Sequence, residues 1–537
     1  MRYILAIVMA FSVSFGSFNG PSNTAFAQSK KSAKKRSTKK RRRTKKRTRK
    51  KRRDSLSTAL RLAKQGKYVE ASARLFQLGL SPRYASKRNQ IRYLLGLMLY
   101  QMKLNQVSAF QFISVIRQGD NKYLRQSLEK LSLAADSLGD ETLLNYAISR
   151  VKAENFPAVH RDMLFYRIGE FQMRNEQFGG AIRSFSQVKT GSVYYDKAQY
   201  MKGLAYGQSK RPKSAVRAFN KLLDEKITST VTDTARVGAL IGKARALYQA
   251  KLWDQAIEAY REVPRDSPMW HDTLFESSWA MLRSGRFRSA LSNFQSLHSP
   301  YYEEAYLPES LLLRSIVYLY ICQYEEMDKV LQLFNKIYRP MFKSISSYLK
   351  SKRKADAYFA DVVKVLVAAE KKNFDPAKQK FDIPFIAVQK IIKEGDFQRS
   401  YSYIKNLLNE RRIIRKMPSS WKKSGLAKYA LKTIERRIKR ARAKAGRQVR
   451  AHMLSIRSEL VDLFEQEGFI RFEMLNGKKE ALKKKQAGKA LPEADQVNED
   501  QERDYYIKNG YQYWTFRGEY WLDELGNYHY VGTQSCQ

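Results

Sequence analysis

A short pattern returns about every 36 residues along this chain, and it limits the folds open to it more than any other feature. An aromatic residue is followed three positions on by a small one with an aliphatic or small neighbour, and three further by an aromatic or aliphatic. It reads Tyr68…Ala71-Ser72…Leu75, Phe178…Ala181-Ile182…Phe185, Trp253…Ala256-Ile257…Tyr260 and Phe287…Ala290-Leu291…Phe294. Pro212…Ala215-Val216…Phe219 keeps the small residue and the final aromatic, and weaker copies centre on Ser108, Leu144 and Met327. The anchors at 71, 108, 144, 181, 215, 256, 290 and 327 stand 34–41 residues apart. A period of that length marks a supersecondary unit that buries its apolar face only by stacking on its neighbours. Gly96, Gly169 and Gly203 stand twelve residues before three of the anchors, where one helix can pack closely on the next.

This pattern resembles the tetratricopeptide repeat over residues 54–340. The resemblance implies an all-α solenoid of about eight helical hairpins, in which the small residue lets the second helix of each pair approach the first. The first helices of such repeats line a concave face. The repeat phase places Tyr93, Tyr100, Tyr166, Glu170, Tyr200, Arg245, Tyr248, Gln249, Phe275, Trp279, Arg283 and Tyr320 on or near it. An aromatic groove with a few charges suits a helix or an extended peptide of a protein partner. Aromatic stripes at helical spacing also serve as core, so each of these residues has a packing role as its alternative.

Residues 341–418 continue in a helical pattern, and Phe397…Ser400-Tyr401…Ile404 could be a ninth unit. Within 419–484, Leu431, Ile434, Ile438, Ala441, Ala445, Val449, Met453, Ile456, Leu460 and Leu463 recur at steps of three or four. That stripe predicts one long helix, of coiled-coil type, with a stutter near Val449. Residues 485–504 have linker composition, with Pro492 and six acids between Glu493 and Asp504. Residues 505–537 alternate Tyr and Trp with polar residues around Gly510, Gly518 and Gly526-Asn527. They predict a small β-hairpin tail turning at Leu525-Gly526-Asn527, docked as a cap on the helices.

The formal charge is +50, and two segments carry most of it. Residues 30–53 hold 18 Lys/Arg and no acid, including Lys39, Lys40, Arg41, Arg42 and Arg43. Residues 411–450 hold 16 Lys/Arg against Glu435 alone. The first segment is self-repelling and lacks an apolar period, so 28–53 is expected to be a disordered arm. Alone it would indicate nucleic acid. What precedes it points to export. Arg2, the apolar run Ile4–Phe15, and Ala25-Phe26-Ala27 compose a signal peptide over 1–27, cleaved between Ala27 and Gln28. The mature chain is then expected in the periplasm. There the arm, with Arg436, Arg437 and Arg440 opposite the apolar stripe, would contact an anionic membrane or cell-wall polymer. If the N-terminus stayed in the cytosol, nucleic-acid binding through the arm would be the alternative.

The run Tyr520–Val531 with its preceding Tyr513–Glu519, ending near Cys536, resembles the C-terminal motif of exported tetratricopeptide proteins of myxobacteria and Bdellovibrio-type bacteria. Some members of that group belong to gliding-motility machinery. The resemblance implies an envelope scaffold in a multiprotein complex, and it transfers no catalytic residue. The sequence offers no other chemistry. Gly238-Ala-Leu-Ile-Gly242-Lys243 is one residue short of a phosphate loop, lacks the Ser/Thr, and lies within a repeat helix. Five His and two Cys supply no metal-ligand spacing, and no cofactor is expected. Cys322 is expected as a buried free thiol, with a Cys322–Cys536 bridge as its alternative in an oxidising compartment.

Overall fold

Each repeat with both halves described folds as a helix, a tight turn and a second helix. The computed structural model describes residues 55–486, apart from 119–120, 140–141, 144, 146–160, 225–232, 304, 352 and 372–373, together with 519–530. In chain order the described hairpins are α1 (Leu56–Lys64) with α2 (Tyr68–Leu80), and α3 (Arg88–Gln101) with α4 (Asn105–Arg117). After α5 (Asn121–Leu138) come α6 (Arg161–Arg174) with α7 (Phe178–Ser186), and α8 (Tyr195–Gln208) with α9 (Pro212–Leu223). The last three pairs are α10 (Asp233–Gln249) with α11 (Trp253–Arg261), α12 (Trp270–Arg283) with α13 (Phe287–Leu297), and α14 (Pro308–Tyr320) with α15 (Tyr324–Lys350).

The anchors explain the pairing. Ala71, Ala181, Ala215, Ala256, Ala290, Ser108 and Met327 are fully buried, each on the second helix of its pair; Leu144 lies outside the described residues. Ser108 donates its hydroxyl to the Gly96 carbonyl, 2.8 Å away. A Cβ at Gly96, Gly169 or Gly203 would stand 2.5–2.6 Å from the ring of Phe112, Phe185 or Phe219, so the aromatic of the second helix occupies the space glycine leaves on the first.

A second regularity sits in the turns. Lys103, Glu176, Lys210, Lys251 and Cys322 have φ of 56–63°, and Gly66 and Gly285 take the same left-handed position. The next amide in each turn donates back to the first helix, as Leu104 to Leu99, Arg211 to Tyr206 and Gln323 to Tyr318, each at 2.9 Å. This is a helix C-cap that reverses the chain in a very short span. Only two of these seven turns use glycine, so most of them accept left-handed strain at a non-glycine residue.

Beyond α15, the chain forms α16 (Ala355–Ala369), α17 (Phe385–Lys393), α18 (Gly395–Lys416), the short α19 (Ser419–Lys422) and α20 (Gly425–Gln486). At ~1.5 Å per residue, the 62 residues of α20 extend for about 93 Å. Its stripe is buried as expected, from Ile434 through Leu463, with Leu431 half-buried and the stripe continuing to Ile470 and Met474. The partners that bury it are the chain's own α14–α19 and, at the other end of the sequence, α2 and α4. A second chain is not needed to satisfy it.

α20 therefore ties the first repeats to the last. Trp421, buried just before it, donates its indole N–H to Ser72 on α2 at 3.1 Å. Tyr429 lies 5.8 Å from Phe76, and the Arg437 guanidinium sits 4.8 Å above the Phe110 ring on α4. At the far end Glu467 is buried and bonds Arg471 and Asn335, and Arg471 reaches Asp328 on α15. No described helix is long and apolar enough to cross a membrane.

The tail differs from expectation. Among residues 519–530 there is no strand pair; Glu524 and Asn527 amides close successive turns on Trp521 and Glu524. The Trp521 amide also reaches the Tyr528 hydroxyl at 3.4 Å, and four further bonds tie the segment to the solenoid. The Gly526 and Tyr530 amides donate to Ser296 and Ser292 on α13, Gln295 donates to the Tyr520 hydroxyl, and Arg265 donates to Asn527. With its amides drawn to serine hydroxyls of α13, the segment is held by the helix rather than by a facing strand. Gly526 has φ +84°, and a Cβ there would stand 2.7 Å from the Trp270 ring. The remainder of 505–537 and the segments 1–54 and 487–518 lie outside the described residues, the arm and the cleavage site included.

The expected free thiol is also corrected. Cys322 is half-buried in the α14–α15 turn and is disulfide-bonded. Cys536, the chain's other cysteine, lies outside the described residues.

Candidate functional site: the mid-solenoid groove

The first helices of the middle repeats open on one cavity of about 1420 Å³. Its walls come from α6 (Tyr166), α8 (Tyr195, Asp196, Tyr200, Met201) and residues of α10 from Thr234 to Arg245. Its rim is made by two inter-repeat loops, Gly191–Val193 and Pro264–Met269. Val193 on that rim is 85% exposed and Met269 39%, so apolar side chains face solvent at the mouth. Isolated exposed apolar residues are ordinary, but two on the rim of one cleft mark a surface that can be covered.

Several polar groups in and behind the walls are held by neighbours. Tyr166 donates to Glu170 at 2.9 Å, and Glu170 also holds Arg167 at 2.8 Å. Arg245 makes a two-pronged contact with Glu276, 2.8 Å through Nε and 2.5 Å through a terminal nitrogen. Tyr260 donates to the same carboxylate at 2.9 Å, and burial raises its phenol well above the usual range. Burial likewise raises the Tyr200 phenol, against the nearby Arg245, and the Asp196 carboxyl. Of the charges predicted as anchors, Glu170 and Arg245 are thus internally paired, and the groove combines aromatic surface with that fixed ion pair and with the charged side chains of Asp196, Lys197, Arg236, Glu262 and Asp266.

Three of the twelve residues that the repeat phase places on the concave face, Tyr166, Tyr200 and Arg245, line this cavity. Tyr93 and Tyr100 instead pack against the core of the second and third repeats, with Tyr93 stacked on Tyr123 at 5.4 Å and Tyr403 of α18 joining the same cluster. Tyr248 meets Trp253 edge-on at 4.9 Å, Gln249 donates to the Gly207 carbonyl at 3.2 Å, and Tyr320 stacks on Phe287 at 5.2 Å. Phe275, Trp279 and Arg283 are half-buried on α12 outside the cavity. Glu170 backs the wall through Tyr166. The rim residues Val193 and Met269 escaped the repeat phase because they lie in connections, where the period carries no information.

The predicted cationic residues divide similarly. Arg436 and Arg440 are exposed on α20 and Arg437 is half-buried against Phe110. Lys39–Arg43, Ala27 and Gln28 lie outside the described residues. No group of His, Cys, Asp and Glu suited to a metal occurs among the described residues.

No family model and no curated protein matches the chain. Among solved structures it is similar to the crystal structure of the P58(IPK) TPR domain, 11% identical over 72% of this chain and 97% of that one, with a TM-score of 0.18. A superposition that loose carries no weight. The description as a repeat of stacked helical hairpins rests on the hairpins, the buried anchors and the glycine–aromatic contacts described above.

Proposed function

We propose that this chain is a non-enzymatic scaffold that holds a protein partner in the groove between α6 and α10. The observation that carries the reading is the groove itself: a large, mainly apolar cleft with a fixed ion pair in its wall and an exposed apolar rim, set in stacked helical hairpins. Such a surface recognises an extended or helical segment by shape and aromatic contact, and its walls bring together no constellation for chemistry. The location belongs to the same proposal. The three-part N-terminal signal and the tail motif support an exported protein of an envelope complex, gliding-motility machinery included. A disulfide at Cys322 fits an oxidising compartment. The cationic segments then serve as electrostatic attachments to an anionic envelope surface, at ~1 kcal/mol per charge near the surface.

The test is the size of the assembly in gently solubilised producing cells. The wild-type chain is expected to sediment well above its 62.5 kDa monomer, and a Val193→Lys/Met269→Lys variant to sediment as the monomer. Both sites are exposed, so the variant should keep its fold. If the wild type also runs as a monomer, the scaffold reading fails. The mature N-terminal residue decides the compartment: Gln28 supports export, and a retained Met1 favours the nucleic-acid alternative.

A further inference from the structure

The tail segment 519–530 converges on the α14–α15 turn. Its last residue, Tyr530, donates its amide to Ser292 of α13 at 3.0 Å. Burial, with Tyr318 and Glu326 adding and Arg288 and Arg314 opposing, pushes the Tyr530 phenol up to about 12. Tyr318 and Glu326 stand four residues before and four after Cys322, so the segment ends beside the turn that carries this cysteine. Six further residues lead to Cys536, a reach of at most ~20 Å. Cys322 is disulfide-bonded, and Cys536, outside the described residues, is the chain's other cysteine. The left-handed turn does not itself call for sulfur. Its equivalents in the other repeats place Lys103, Glu176, Lys210, Lys251, Gly66 and Gly285 there.

The face beneath the tail reads it at several points. Gly526 donates its amide to the buried Ser296 hydroxyl at 2.7 Å. Gln295, held from behind by Arg314 at 3.3 Å, donates to the Tyr520 hydroxyl at 3.2 Å, and Arg265 donates to the Asn527 side-chain oxygen at 2.7 Å. Leu525 is buried in the contact, while Trp521 and Leu522 are exposed. At Gly526 a Cβ would stand 2.7 Å from the Trp270 ring and φ is +84°, so only glycine sits there without strain. Backbone amides on fixed hydroxyls, one apolar anchor and a glycine seat together make a sequence-specific way of holding a peptide.

We infer that the face formed by α12–α14 is a second peptide-recognition surface, that 519–530 occupies it as an internal ligand, and that a Cys322–Cys536 bridge locks this ligand in place until the bridge is reduced. In the oxidised chain the face is filled from within and takes no partner, because a tether this short keeps the segment at a local concentration that no free peptide matches. A dithiol opens the bridge by exchange. One of its thiolates attacks a sulfur of the pair and expels the other cysteine, and its second thiol then displaces the first cysteine from the mixed disulfide. Two electrons pass to the bridge, both cysteines end as protonated thiols, and the reagent leaves as its own disulfide. The tail is then held by its contacts alone, and a tyrosine-flanked peptide with the same Leu-Gly-Asn turn can compete for the face.

Non-reducing peptide mapping of the full chain is expected to recover Cys322 linked to Cys536 within one chain. Binding is then read with a fluorescein-labelled synthetic peptide of sequence 519–530. It is added to the full chain as wild type, as Gly526→Ala and as Cys536→Ser, each with and without a dithiol. Gly526 is exposed and lies outside the helices, so its replacement weakens the internal ligand and leaves the face intact. The peptide is expected to ignore the oxidised wild type and to bind the reduced Gly526→Ala chain at least tenfold more tightly than the oxidised one. Its binding to Cys536→Ser should be the same with and without the dithiol. A peptide with alanine at the Gly526 position should bind at least tenfold more weakly throughout. A Cys322 bond to a second chain, equal binding to both redox states of Gly526→Ala, or equal binding of the two peptides overturns the inference.

Discussion

Glu410 shows how much a single side chain contributes to the closed arrangement. It projects from α18 to the start of α4, where its carboxylate accepts the Gln106 amide at 2.8 Å. Asn105 and Val107 amides lie close enough to favour its charge as well, and a helix N-terminus is a good place for an anion. Burial outweighs them and lifts its pKa to about 8, with one carboxyl oxygen buried and unpartnered. A raised folded pKa means that the native state keeps a proton the unfolded chain has released. The contribution to stability is therefore whole below about pH 4.5 and is lost as pH rises through about 8, with each pH unit between the two worth ~1.4 kcal/mol. Glu410→Gln keeps an acceptor for the Gln106 amide and no longer titrates. Thermal melts of the two proteins are expected to agree near pH 4.5 and to diverge in the variant's favour up to pH 9. Parallel curves across that range would show that the carboxyl is ordinary.

Among elements, α20 is the one on which the rest depends. Its length and buried stripe were legible in the sequence, because steps of three and four sustained over so many turns admit only a helix. Its partners were not. A stripe of this kind satisfies a second chain or the same chain equally well, and only the tertiary path shows α2, α4 and α14–α19 around it. Gly446 records how close that packing is: a Cβ there would overlap the Ala355 carbonyl at the start of α16. Gly446→Val should therefore force α20 off α16, a change of the overpacking kind that costs ~1–3 kcal/mol or more. Hydrogen exchange is expected to show lost protection in α16 and in the middle of α20, with the α8–α9 hairpin unchanged. Unchanged protection throughout would mean that the two helices are not in register as described. The repeats, by contrast, were readable residue by residue, since each anchor alanine is small for a steric reason that recurs. The tail was misjudged for the opposite reason: its alternating pattern suited a strand, but Ser292 and Ser296 supply the bonds a second strand would have made.

For the whole molecule, the sequence disclosed stacked helical hairpins with two cationic segments, and the structure shows which of the described faces are taken up in core. The C-terminal helices bear on the first and last repeats, and Tyr93 and Tyr100 are taken up in core near Tyr403. Among the described residues a cavity of about 790 Å³ along α16 remains open, and so does the span from α6 to α10, where Tyr166, Tyr200 and Arg245 meet an unforeseen apolar rim. The scaffold proposal requires that this span, and no other face, receives the protein partner. A photo-crosslinking residue placed singly at Val193, Met269 or Leu80 in producing cells decides it, because all three side chains are exposed and only the first two border the groove. One discrete higher-mass product is expected from Val193 and Met269 and none from Leu80; no product at the groove, or the same product from all three positions, would contradict the proposal.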